Sequence, residues 1–207
     1  MADVSSPLGV EVTWATDGAR PDAADRLLKR EVARVTGCAE AGIELGRLCP
    51  TCGSSEHGRP HVVRQDGQRS PYVSMSRADG LVIVAVCGAY PVGVDIEPID
   101  GAGFSGFADV ALHPAEHAST VDQQAIVWTR KESLLKATGE GLYVDPRSIR
   151  VSHADQPARL LEWSGRDVPV VQMYDLRVPG YAACVTVLAD LAVEVTTRQA
   201  APAGPSD

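Results

Sequence analysis

Two stretches of this sequence carry acids and lysines in positions that could do chemistry. In "VGVDIEPID", Asp95 and Glu97 interrupt a β-branched run. Alternation along a strand puts residues i and i+2 on one face, so the two carboxylates point together while Val94 and Ile96 face a core. Side by side, such acids repel each other and each needs a cation. A hard divalent ion such as Mg2+ would satisfy both; a solvated strand end, where the acids see only water, is the simpler alternative. In "IVWTRKESLLKATGEGL", Trp128, Glu132 and Lys136 fall four apart and form one stripe of a helix, with Lys131 beside it. An exposed Glu–Lys pair would be worth only about 0.3–0.5 kcal/mol, but a large ring on the same stripe argues for a shaped, partly enclosed surface. If this helix packs over the "VGVDIE" strand, Glu132 becomes a third carboxylate, with Lys131 and Lys136 supplying positive charge. Three acids holding a metal and lysines reaching phosphate oxygens are the equipment for attack on a phosphate ester or anhydride.

The surrounding pattern has to place these groups. "VEVTWA" alternates as a short strand. "PDAADRLLKREVARVTG" follows, with Asp22 as cap, Leu27, Leu28, Val32 and Val35 at helical spacing, and Gly37 as stop. From "CPTCGSSEHGRP" to "RQDGQRSP" the chain is rich in Gly, Pro and polar residues and reads as mostly loop. "LVIVAVC" and "PVGVDIE" read as strands, "PIDGAGFSGFADV" as a glycine-rich mobile stretch, and Thr120 with Gln123 as a capping box opening a helix that stops near Gly139. Strand candidates follow at "SIRVSH", "VVQMYDLRV", "YAACVTVL" and "AVEVTT". The similar runs "GLVIVAVCG" and "GYAACVTVLAD" suggest two related α+β lobes.

At 207 residues, 44% hydrophobic and 22% charged, the chain has the composition of an ordinary soluble globule. Its net charge of -8 disfavours nucleic acid or an anionic membrane as partner. No apolar run reaches the length of a membrane span, and the start lacks the features of a signal peptide, so a cytoplasmic protein is expected. Five cysteines, an odd number, suggest reduced thiols.

"VGVDIEPI" followed by "WTRKESLLKATGEGL" resembles the paired signature of the 4'-phosphopantetheinyl transferases, surfactin-synthetase-activating type. "HGRP", "VSMSRADG" and "VPGYAACVTV" resemble further elements of that family, and the likeness spans roughly residues 20–195. It implies an α+β fold of two similar lobes in pseudo-twofold arrangement: residues 1–91 as an N-terminal lobe on the nucleotide side, 92–198 as a C-terminal lobe with the metal and catalytic helix, and 199–207 as a disordered tail. It further implies transfer of the phosphopantetheine arm of coenzyme A, the co-substrate, to a serine of an apo acyl or peptidyl carrier protein, leaving adenosine 3',5'-bisphosphate. Carried over by position, Asp95, Glu97 and Glu132 would hold Mg2+, with Mn2+ as the alternative ion. Glu132 would help take the serine proton, and Lys136, supported by Lys131, would neutralise the phosphates. Arg59, Ser76, Arg77 and Arg26 would contact the coenzyme. Glu116 stands where the family often has another acid. A monomer with the coenzyme between its lobes, serving fatty-acid, polyketide or peptide synthesis, is the implied form. One departure is that only about eight residues separate Trp14 from the first helix, where the family has a basic segment.

Two rival readings remain open on the residues: a metal-dependent nuclease, and a coenzyme-binding relative without catalysis. "CPTCGSSEHG" also offers Cys49, Cys52 and His57 as zinc ligands, with Cys38 or His61 as a fourth, against a plain Gly/Pro loop.

Overall fold

The computed structural model describes residues 9–16, 20–49, 52–56, 58–101, 103 and 105–201, and for Leu142 the backbone alone. Eleven strands and three α-helices are defined among them, a mixed α+β architecture. The first sheet has the order β11-β1-β5-β4, from strands β1 (Gly9–Thr16), β4 (Tyr72–Ala78), β5 (Leu81–Cys87) and β11 (Glu194–Gln199). The second is β6-β10-β9, from β6 (Val92–Pro98), β9 (Gln172–Asp175) and β10 (Tyr181–Val187). Two ribbons complete the set: β2 (Ile43–Leu48) with β3 (Arg59–Arg64), and β7 (Ile149–Val151) with β8 (Leu160–Trp163).

The side-chain pattern sets the layers. Val10 and Val12 of β1 and Ile83, Ala85 and Cys87 of β5 share a core with Val92, Val94 and Ile96 of β6 and Val185 and Val187 of β10. The two sheets therefore pack face to face. Val82, Val84 and Val86, on the other side of β5, meet Leu27, Leu28 and Val32 of helix α1 (Ala23–Thr36). This is why "LVIVAVC" is apolar without alternation: β5 is buried on both faces. Helix α3 (Val121–Thr138) covers the outer face of the second sheet, where Leu134, Leu135 and Cys184 are buried together. The central strands β5 and β10 are the two similar runs of the sequence, and each sheet has a long helix on its outer face, an arrangement compatible with two lobes.

The boundaries of α1 and α3 follow local chemistry. α3 opens with the expected capping box of Thr120 and Gln123 and ends at Gly139, whose φ of 81° suits a residue without a Cβ. α1 ends at Gly37 in the same left-handed conformation, but the Asp22 side chain makes no cap hydrogen bond. It stands beside Arg20 and Arg26 instead, at 3.5 and 3.9 Å.

Several expectations are corrected. The segment read as loop between residues 48 and 71 contains β3, and "VSMSRA", not among the strand candidates, is strand β4. The glycine-rich stretch after β6 contains a short helix, α2 (Phe107–Ala111). β11, counted by sequence with the second lobe, runs parallel to β1 in the first sheet. Gln199 closes that strand and Ala200 is buried, its N–H donating to the Trp14 carbonyl at 2.8 Å, so the expected tail does not begin at 199; residues 202–207 lie outside the described set.

Candidate active site

β6 is the floor of the site. Val92, Val94 and Ile96 face the sheet–sheet core, which turns Gly93, Asp95 and Glu97 toward α3. Gly93 sits where a Cβ would come within 2.0 Å of the Ser133 carbonyl oxygen and 2.4 Å of the Ala137 nitrogen. The helix backbone thus rests directly on the strand, which brings the stripe of Trp128, Glu132 and Lys136 down onto the two acids.

The contacts run in order along both elements. Lys136 Nζ donates to Asp95 Oδ1 at 2.6 Å and to Ser76 Oγ at 2.9 Å, and Ser76 Oγ donates to Asp95 Oδ1 at 2.7 Å. One turn earlier, burial pushes the Glu132 carboxyl up to about 7, and the nearby charges of Asp95 and Glu97 add to the rise against the pull of Lys136. Burial, then Asp95, also raises Glu97, while a hydrogen bond with the Trp128 side chain opposes the rise. Phe107 meets the Trp128 ring edge-on, 6.3 Å between centroids. Trp128 is therefore held between α2 and the acid it serves.

The donor set suits a hard cation. The charges of Asp95 and Glu97 act on Glu132, and Asp95 Oδ2 and Glu132 Oε1 are buried without a hydrogen-bond partner, an expensive state unless something positive meets them. As the side chains stand, no group of three Asp, Glu, His or Cys residues among the described residues is arranged to ligate an ion. Lys136 supplies the compensating charge at Asp95.

A cavity of about 270 Å3 opens beside Lys136, lined also by Arg47, Arg59, Met75 and Gly139. Arg59 is half-buried; burial lowers its guanidinium below the usual range, and Nη2 has no partner. A buried, unpaired guanidinium edge is a ready anion contact. Arg47, which nothing in the sequence pattern marks, lines the same cavity and donates to Asp25 of α1 at 2.7 Å.

The remaining residues lie elsewhere. Arg77 points to the opposite face of β4 from Ser76 and donates to the carbonyls of Arg20 and Pro21 at 2.8 and 3.1 Å. Arg26, with Arg20 and Arg30, lines a separate cavity of about 360 Å3 at the start of α1. Lys131 is corrected outright: it is fully buried and gives its ammonium to Ala111 O (2.6 Å), Glu116 Oε2 (2.6 Å) and Pro146 O (3.0 Å). Its three N–H bonds are spent, so none is left for a phosphate. Glu116 also accepts from the backbone N–H groups of His113 and Val151, tying loop, helix and β7 together. Cys49 is buried at the end of β2 and Cys52 exposed in the turn that follows; His57, needed for the expected zinc site, lies outside the described residues.

This geometry belongs to a segment with known kin. Residues 91–186 match the family model of the 4'-phosphopantetheinyl transferase superfamily. The matched segment, just under half of the chain, runs from the turn before β6 through α3 to β10 and so contains all three carboxylates and Lys136. The match supports the superfamily in general, and with it phosphopantetheinyl transfer from coenzyme A. No curated protein matches the chain. Among the described residues no helix is long and apolar enough to cross a membrane.

Proposed function

We propose that this protein is a phosphopantetheinyl transferase of the surfactin-synthetase-activating type. It would move the 4'-phosphopantetheine arm of coenzyme A to a serine of an apo acyl or peptidyl carrier protein and release adenosine 3',5'-bisphosphate. The observation that carries this reading is the packing of Glu132 and Lys136 against Asp95 and Glu97, with buried oxygens of Asp95 and Glu132 left unpartnered.

In this reading Asp95, Glu97 and Glu132 would hold a divalent ion, Mg2+ or Mn2+, which would supply Lewis-acid polarisation of the coenzyme's pyrophosphate. Glu132 sits one helical turn from Lys136 on the stripe that faces the two acids, where a carboxylate could accept a proton directly or through a water. It takes the proton of the carrier serine as the serine oxygen bonds to the phosphorus bearing the pantetheine arm and the bond to the nucleotide phosphate breaks. Lys136 balances the charge that builds on the phosphate oxygens. Arg59 faces the cavity beside Lys136 and neutralises the pyrophosphate from the other wall. Arg26 of α1, and Arg77 of β4, whose side chain reaches the carbonyls just before α1, serve the nucleotide end. The protein works as a cytoplasmic monomer on carrier domains of fatty-acid, polyketide or peptide synthesis.

The test is direct. Purified protein is incubated with coenzyme A, Mg2+ and a panel of apo carriers, and intact mass is read for an added arm. Gain on at least one carrier, lost with chelator, is expected. No gain on any carrier, with DNA cleaved under the same conditions, would sink the reading in favour of a nuclease.

A further inference from the structure

The resemblance implies that Ser76 touches the coenzyme, but its hydrogen bonds assign it other work. A serine hydroxyl has one proton to donate. Lysine can only donate, so in the Lys136–Ser76 bond (2.9 Å) the serine oxygen must accept, and its own O–H donates to Asp95 Oδ1, 2.7 Å from the serine oxygen. With that proton committed, Ser76 presents only lone pairs, and phosphate oxygens, themselves acceptors, gain nothing from it. Resting on the transferase reading above, we infer that Ser76 is a positioning residue. It fixes Asp95 and Lys136 relative to each other and leaves one carboxylate oxygen for the ion.

The two oxygens of Asp95 are placed differently. Oδ1 receives both Ser76 and Lys136, while Oδ2 is buried with no partner. Asp95 is almost wholly buried, and the side chains that bond it are Ser76 and Lys136. The hydroxyl pins the carboxylate in the rotation that directs Oδ2 away from the lysine. It also occupies one ammonium proton, which holds Lys136 at the edge of the site, not across both oxygens of Asp95. Without the hydroxyl, Asp95 is free to turn, Lys136 can straddle its carboxylate, and a divalent cation must displace the lysine to reach Oδ2. Ser76 comes from β4 of the first sheet, whereas Asp95 and Lys136 belong to β6 and α3, so the site is completed across the junction of the two sheets.

The test uses Ser76→Ala and Ser76→Thr in the full chain, with Mn2+ alone as the probe. Binding of Mn2+ to coenzyme-free protein is followed by electron paramagnetic resonance, and transfer kinetics are measured beside it. In Ser76→Ala, Mn2+ binding should weaken by about 10-fold and kcat fall by about 10- to 100-fold, the size of one hydrogen bond to charged groups. The KM for coenzyme A should stay within about 3-fold, and Ser76→Thr should restore both losses, because it keeps the hydroxyl. A raised KM for coenzyme A with kcat and Mn2+ binding intact would overturn the inference and make Ser76 a coenzyme contact. A lowered melting temperature with all three constants unchanged would overturn it too, in favour of a structural role. If the parent protein transfers no arm to any carrier, the transferase reading falls by itself. The Mn2+ titration still decides this inference, since equal affinities for parent and Ser76→Ala refute it.

Discussion

Replacing Lys131 by Met separates the two roles open to a lysine next to Glu132. Met keeps most of the stem's volume and removes the charge. The change strips a cation from Glu116, whose side chain is only 5% exposed, and takes a donor from each of the Ala111 and Pro146 carbonyls. Breaking a buried ion pair by removing one partner costs about 3–5 kcal/mol. For a chain of this size about 1 kcal/mol corresponds to 2–4 °C, so the melting temperature should fall by roughly 6–20 °C. Burial holds the Lys131 ammonium below the ordinary lysine range despite the lift from Glu116, in keeping with a group enclosed by protein. Thermal unfolding and coenzyme kinetics, the latter run well below the new melting point, together read the outcome. The folded variant should keep its KM for coenzyme A, and adding Glu116→Gln should recover part of the stability, because the orphaned charge is then gone. An unchanged melting temperature with a several-fold higher KM would refute the buried-strut assignment and return Lys131 to the phosphates.

Two further outcomes follow from the same geometry. Glu132→Gln should abolish transfer yet stabilise the metal-free protein at pH 8. The folded carboxyl titrates near 7 against an ordinary value of 4.5, so the stability it lends is full below about 4.5 and lost as pH rises through 7. Gln mimics the protonated form, so melts in chelator should show the variant ahead by up to about 3 kcal/mol at pH 8 and level near pH 4.5, whereas a pH-independent difference would count against the burial argument. Gly93→Ala should destabilise by about 1–3 kcal/mol or prevent folding, since its Cβ would strike helix backbone and not a side chain that can swing away; wild-type urea unfolding would contradict the close approach of α3 to β6.

How far the sequence could be read depended on where each segment's partners lie. β5, β10 and α3 were legible because their signals are local: apolar runs of strand length, and a capping box with a terminal glycine. The acid–lysine grouping was half legible: strand alternation pairs Asp95 with Glu97 and helical spacing pairs Glu132 with Lys136, but the packing of α3 on β6 that joins the pairs is a tertiary contact. β4 was not legible. Its Ser74 and Ser76 bond to Val94 N and Asp95 across the junction, so polar residues occupy a buried face and mask the alternation. Lys131 was misplaced because sequence shows it beside Glu132 but not the distant Glu116 that claims it, roughly a quarter-turn off the stripe. Arg47 carried no signal, being one arginine in a strand recognised only once its hairpin partner is seen.

The parallel pairing of β11 with β1 bears on how the protein matures during synthesis. Gly9 lies opposite Glu194 and Trp14 opposite Gln199, so one edge of the first sheet closes only after nearly all of the described chain has been made. Until then Glu31, buried in α1 beside Thr13 and Arg34, lacks the guanidinium of Arg198 that completes its charge balance. Any state of the first sheet that forms before β11 is added therefore has an open strand edge and an undercompensated buried acid. Closure of the first sheet is thereby coupled to synthesis of β11: a chain cut before Arg198 leaves the β1 edge open and Glu31 without that guanidinium.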